Sequence, residues 1–279
     1  MLASPPSTCQ AHIPRSVARA GRLNATIRPL ARPRPLIDSM PDLLSVVLAC
    51  YNEGPDFARS VDQIGETLSE SRGPFEVIFV DDHSRDGTRQ RIEQIVERRP
   101  DLNPRAIFHD RNQGRGASVS DGFRLARGDI AGYLDVDLEV HCRYIPSLVR
   151  AIDRGADVAT VRRIYAFQPS SLDRYVMSRG YSWLVRRLLR VPLWDTETGF
   201  KFFRRDRLLP VIEAVRDPGW FWDTEIMVRS LRRGLRIEEI PGAYVRRADK
   251  RSTVRGLTDS IAYFRKLLAF RRLLAREDP

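Results

Sequence analysis

The chain has 279 residues, 42% of them apolar, enough to bury a sizeable core as one large domain or one domain with appendages, and it carries a formal net charge of +11. Its three widely spaced cysteines, Cys9, Cys50 and Cys142, show no CxxC pairing and so argue against zinc or a dithiol centre and for a reduced compartment. No stretch reaches the roughly 18 to 20 uncharged apolar residues of a membrane-spanning helix. Only three of the 47 basic residues, Lys201, Lys250 and Lys266, are lysine. The arginine excess is as readily codon bias as an adaptation to polyanions, whether nucleic acid, nucleotide phosphate or an anionic membrane face.

Residues 1–39 hold six arginines, one aspartate and scattered prolines without an apolar period, and are expected to be disordered. They read either as a transit-like peptide or as the product of a misassigned start, since Met40 directly precedes the first ordered pattern. From Leu43 short apolar runs alternate with helical periods. "LLSVVLA" (43–49) reads as a buried strand, and Phe57, Val61, Ile64 and Leu68 space a helix after it. "FEVIFV" (75–80) is a second strand, with Ile92 and Ile95 on the following helix; "RAIFH" (105–109) and "IAGYL" (130–134) continue the series around a helix at 116–127. Such alternation predicts an α/β fold with a parallel sheet covered by helices on both faces, whose ligands sit at the carboxyl ends of the strands.

Three polar clusters fall at those ends: "CYNEG" (50–54), "DDHSRDGT" (81–88) and "DVDLE" (135–139). Any one of them could be a turn or helix cap, as Asp86-Gly87-Thr88 is in part. Together they predict one crevice for a nucleoside diphosphate held through a hard divalent cation, which takes one or two carboxylates and leaves its other positions to phosphate and water. If the strand stays extended past Leu134, Asp135 and Asp137 share a face and serve one ion.

The ordered series "VVLACYNE", "VIFVDDHSRDGT", "RNQGRGASVSDG", "GDIAGYLDVDLE", "DTETGFKFFRR" and "WFWDTEIM" resembles the family 2 glycosyltransferases of GT-A fold, most closely the dolichyl- or polyprenyl-phosphate mannosyltransferase branch. The resemblance covers 43 to about 253 and implies a GT-A domain over 40–253, with a Rossmann-like, mostly parallel sheet, followed by a basic tail at 254–279. It implies that Ala49, Tyr51, Glu53, Asp81 and Asp82 bind base and ribose, and that Asp135 and Asp137 approach metal and diphosphate. Glu139, where relatives commonly have glutamine, is an altered third metal contact for Mg²⁺ or Mn²⁺. The usual proline before Tyr-Asn-Glu is absent, with Ala49 and Cys50 in its place.

By the same resemblance Arg174 and Ser178 contact the acceptor phosphate, Arg247 and Ser252 contact transferring phosphates, and Asp195 lies beside the acceptor. Lys250 and Thr253 depart from the glycine and lysine usual there. The turn "NQGRGAS" (112–118) offers backbone N–H groups and Arg115 to a phosphate, but reads better as the start of a helix. Asp223 and Glu225 are either acceptor-site carboxylates or caps, and Trp220, Phe221 and Trp222 either core or a sugar platform. Two basic amphipathic stretches, 171–194 and 254–276, either dock on the protein or lie in a membrane interface.

The implied activity is inverting, metal-dependent transfer of a hexose, foremost mannose from GDP-mannose, onto a polyprenyl or dolichyl monophosphate. The implied setting is cytoplasmic, peripheral at the cytoplasmic membrane face, with a membrane-anchoring subunit as a further partner and no nucleic acid. Alternatives are a UDP-glucose or UDP-N-acetylglucosamine donor, a soluble acceptor, or a catalytically silent nucleotide-sugar-binding subunit.

Overall fold

The computed structural model describes residues 43–71, 73–165, 172–245 and 256–277, with backbone alone for 172–178 and 256–261. The expectations for 1–39 lie outside the described residues. The four anticipated strands are β1 (Leu44–Cys50), β2 (Phe75–Asp81), β3 (Pro104–Phe108) and β4 (Ile130–Leu134), separated by α1 (Phe57–Ser69), α2 (Thr88–Arg98) and α3 (Arg115–Leu125). Then follow α4 (Ile145–Asp153), β5 (Val158–Tyr165), α5 (Leu172–Leu189), β6 (Phe200–Arg204), α6 (Arg205–Ile212), α7 (Trp222–Arg232), β7 (Ile237–Tyr244) and α8 (Gly256–Glu277).

One seven-stranded sheet runs β3-β2-β1-β4-β6-β5-β7. Neighbours are parallel except at β6, which is antiparallel to both β4 and β5. The middle of the sheet is apolar on both faces because helices cover both. Val46, Leu48, Val77 and Phe79 meet Phe57, Val61, Ile64 and Leu68 of α1 and Leu148 of α4. Val47, Ile78, Val80 and Tyr133 face Val119 and Phe123 of α3 and Trp222 and Ile226 of α7. Each such side chain taken fully out of water contributes about 1.5–3 kcal/mol.

The last helix packs on the protein itself. Leu267, Phe270 and Leu274 are buried against Val185 and Leu189 of α5 and Val228 of α7, while Arg265, Arg271 and Arg272 stay exposed on the opposite face. Among the described residues no helix is long and apolar enough to cross a membrane.

Candidate active site

The order β2-β1-β4 reverses direction of winding at β1, so the carboxyl ends of these three strands open a crevice at the switch point. The first two polar clusters are stitched together there. Asn52, in left-handed conformation at φ 54°, donates its N–H to Ser84 Oγ at 2.9 Å and accepts from the Arg85 N–H at 2.8 Å. The N–H of Glu53 reaches Thr88 Oγ1, and that of Gly54 reaches Asp86 Oδ2, both at 2.9 Å. Asp86 also accepts from Thr88 N–H and hydroxyl, closing a turn ahead of α2, whose N-cap residue is the left-handed Gly87. Glu53 accepts the Tyr51 N–H at 3.1 Å, and Tyr51 lies exposed at the lip; Ala49 sits within β1.

The paired aspartates have separate tasks. Asp82 is buried, and its carboxylate accepts the N–H groups of Gln113 (2.7 Å) and Gly114 (2.8 Å), with His109 Nδ1 at 2.9 Å. It therefore holds the turn ahead of α3 and shapes the crevice from behind. Asp81 Oδ2 accepts the Ser84 N–H at 3.2 Å, but Asp81 Oδ1 is buried and no group among the described residues donates to it. A buried acceptor of this kind is costly unless a ligand satisfies it.

Beyond β4 the chain does not stay extended as expected. Val136 and Asp137 form a turn, the Leu138 N–H returns to the Asp135 carbonyl at 3.2 Å, and Leu138 adopts φ 55°. Asp135 and Asp137 remain close enough for the Asp137 charge to raise the cost of ionising Asp135, and the Glu139 N–H closes onto Asp137 Oδ1 at 3.2 Å while its side chain turns to another partner. Glu139 accepts from the Tyr244 hydroxyl at 2.5 Å, and the Val245 N–H reaches its carbonyl at 2.8 Å. The predicted three-carboxylate set is thus not assembled, and among the described residues no three His, Cys, Asp or Glu side chains could hold an ion alone. Two adjacent carboxylates still fit a hard divalent ion that completes its shell from phosphate and water.

Asp135 anchors a network that sequence reading missed. Arg115, at the first position of α3, donates Nε (3.0 Å) and Nη2 to Asp135 Oδ1 and Nη1 to Asp223 Oδ2 at 2.6 Å. Asp223 in turn accepts from Lys201 Nζ (2.7 Å) and from the Tyr133 hydroxyl. Lys201 is fully buried in β6 and also donates to Tyr133 and to the Thr198 carbonyl. Burial pulls the Lys201 ammonium down, against the pull of Asp223. Burial likewise opposes charge on Arg115, yet Asp135 and Asp223 raise it well above its ordinary value, so the guanidinium stays ionised. Asp135 itself is pushed up by the surrounding protein, with Arg115 countering.

Gly199 makes this approach possible. Its carbonyl accepts the Asp135 N–H at 2.9 Å, and a Cβ there would lie 1.9 Å from Asp135 Oδ2 and 2.4 Å from Arg115 Nη2. Asp223 and Glu225 are therefore interior carboxylates, the latter paired with Arg229 at 2.7 Å. Phe221 and Trp222 are core, while Trp220 is exposed over Arg115, 4.9 Å from ring centre to guanidinium carbon.

Asp195 is buried. Its oxygens accept from Arg163 Nε (2.8 Å), Nη2 (3.0 Å) and backbone N–H (3.1 Å). Burial alone would raise its pKa, but Arg163 overrides this and holds it at about 2. Glu197, two residues on, is the more accessible carboxylate; burial, offset only partly by Arg163, lifts it to about 7. Arg174 and Ser178 lie on the first half of α5, and Arg247 and Ser252 lie outside the described residues.

A sheet that turns over at a carboxyl-end crevice, with an acidic pair after β4, is the architecture of a GT-A glycosyltransferase. The crystal structure of glucosyl-3-phosphoglycerate synthase from Mycobacterium tuberculosis in complex with Mn²⁺, UDP-glucose and phosphoglyceric acid superposes with TM-score 0.62, covering 83% of this chain and 80% of that one at 20% identity. Residues 45–211 match the model of glycosyl transferase family 2, and the chain belongs to that family. It is 37% identical over 204 residues to glycosyltransferase AglD of Haloferax volcanii, covering 71% of this chain and 32% of that protein. It is 29% identical over 218 residues to the dolichyl-phosphate beta-glucosyltransferase of Saccharomyces cerevisiae, covering 71% of this chain and 65% of that protein. The chain thus spans between about a third and two thirds of these relatives' lengths.

Proposed function

We propose that the protein transfers a hexose, with inversion, from a nucleoside diphosphate sugar to a polyprenyl monophosphate at the membrane surface. The observation that supports this reading is that Asp81 Oδ1, which has no donor among the described residues, and the Asp135/Asp137 pair fall at the carboxyl ends of strands in the same sheet. They end strands two steps apart in the sheet, about 10 Å at the usual strand spacing, a span that a nucleoside diphosphate bridges. Asp81 Oδ1 would accept from the base, with Ala49, Tyr51 and Glu53 lining the base and ribose end and Asp82 fixing the loop behind them.

Asp135 and Asp137 would hold Mg²⁺ or Mn²⁺, which when bound offsets charge on the departing diphosphate. The acceptor phosphate is already an anion at neutral pH, so its oxygen attacks the anomeric carbon without a strong base as the bond to the diphosphate breaks. Positioning and charge complementarity then supply the rate, with Arg174, Ser178, Arg247 and Ser252 as the acceptor and diphosphate contacts. Buried Asp195 orders Arg163 and the backbone of Glu197. The named activity of the yeast relative favours a nucleotide-linked glucose over GDP-mannose as the first donor to test.

The test is release of nucleoside diphosphate from UDP-glucose, UDP-N-acetylglucosamine and GDP-mannose, with Mn²⁺ or Mg²⁺, with and without a short polyprenyl phosphate. Lipid-dependent release from one donor is the expected result, and Asp137→Ala should abolish it. Metal-dependent turnover retained by Asp137→Ala would refute the metal assignment, and no release from any donor would favour a silent binding subunit.

A further inference from the structure

Arg115 makes two unlike contacts with one guanidinium. Asp223 is 2% exposed and already compensated by Lys201 and Tyr133, so it is a fixed anchor. The Asp135 side chain is 42% exposed, faces the crevice and takes the Nε and Nη2 edge of the same group. Arg115 itself is 11% exposed, held near the faces of Tyr133 (5.3 Å) and Trp220 (4.9 Å). A cation is thus seated on the carboxylate that the proposed function gives to a divalent ion. Trp220, 52% exposed, lies over it from the solvent side.

We infer that Arg115 is a resident counter-cation that occupies Asp135 until a divalent ion displaces it, and that it then pivots on Asp223 to present its freed edge to the donor diphosphate. The inference rests on the reading that Asp135 and Asp137 hold the metal. Displacement of a charge-assisted contact penalises metal binding in the absence of nucleotide, because the released guanidinium loses an anion. A nucleoside diphosphate supplies a replacement anion and removes the penalty. Metal and nucleotide therefore favour each other's binding, and by linkage the coupling is reciprocal.

The experiment titrates Mn²⁺ into the full chain, following free Mn²⁺ by electron paramagnetic resonance, and separately titrates UDP and GDP with and without saturating Mn²⁺. Arg115→Met, which keeps the stem and leaves Asp223 paired to Lys201, should bind Mn²⁺ alone about tenfold more tightly than wild type. Its nucleotide affinity should gain less from Mn²⁺ than that of wild type. Arg115→Lys, a single ammonium unable to bridge both carboxylates, should fall between the two, and it decides the matter if the methionine variant loses the native circular dichroism spectrum. Mn²⁺ binding by natively folded variants equal to or weaker than wild type overturns the inference while leaving the metal reading standing. Mn²⁺ binding that Asp135→Asn leaves unchanged removes the metal reading, and this inference with it.

Discussion

At Gly199 a single hydrogen atom in place of a methyl group lets Asp135 and Arg115 meet. Gly199→Ala should lower turnover by about a hundredfold, because a displacement near 1 Å at a reacting group costs that much. The melting temperature should shift by only a few degrees, which thermal unfolding alongside steady-state kinetics would establish. Glu197 and Asp195 respond to pH in opposite senses. Glu197 titrates near 7 in the fold against 4.5 ordinarily, so between those values the unfolded chain releases a proton that the folded one keeps. Its contribution makes stability fall from pH 4.5 to 7. Glu197→Gln should therefore melt higher than wild type at pH 8, with the difference vanishing by about pH 4.5. Asp195, held at about 2 against 3.8 ordinarily, stabilises the fold above 3.8, and that contribution is lost as pH falls towards 2. Asp195→Asn should cost about 3 kcal/mol at pH 7 by leaving Arg163 only the longer contact with Glu197 at 3.4 Å, and a denaturant series from pH 7 to pH 2 should show the cost shrinking.

The elements around the crevice differ in how openly their sequences declare them. Strands β1 to β4 are short apolar runs between helical periods, and all four lie where that pattern puts them. Strand β6 reads "FKFFR", and its lysine breaks the apolar run; only the meeting with Asp223 and Tyr133 makes Lys201 an interior residue. Lys201→Met should remove that compensation while Arg115 still pairs with Asp223. We expect a loss of about 3 kcal/mol, measured by urea unfolding. The acidic segment after β4 is not legible in this way, since period-two alternation in "LDVDLE" gives no sign of the left-handed Leu138 that turns the Glu139 side chain towards Tyr244.

Across the whole molecule, α8 closes a third apolar cluster against α5 and α7. Phe270→Ala should destabilise the protein by about 3 kcal/mol. Removing exposed charge at Arg271 and Arg272 should leave stability within about 0.5 kcal/mol. Vesicle sedimentation with anionic lipid then separates the two faces: the arginine variants should bind less while melting normally, since each basic residue near such a surface adds roughly 1 kcal/mol. Equal sedimentation by wild type and arginine variants would leave α8 with a packing role only.

The sequence by itself determined the class of fold, the strand ends that carry the polar clusters and the family, because periodicity and ordered motifs are local properties of the chain. It also put Asp81, Asp135 and Asp137 in polar clusters at strand ends. Tertiary structure alone decided which carboxylates are spent inside the protein. Asp82 is taken up by the turn before α3, Asp195 by Arg163 and Asp223 by Lys201 and Arg115, through contacts between residues 22 to 108 positions apart. Whether a charge faces substrate or compensates another charge depends on partners that only folding brings within hydrogen-bond reach.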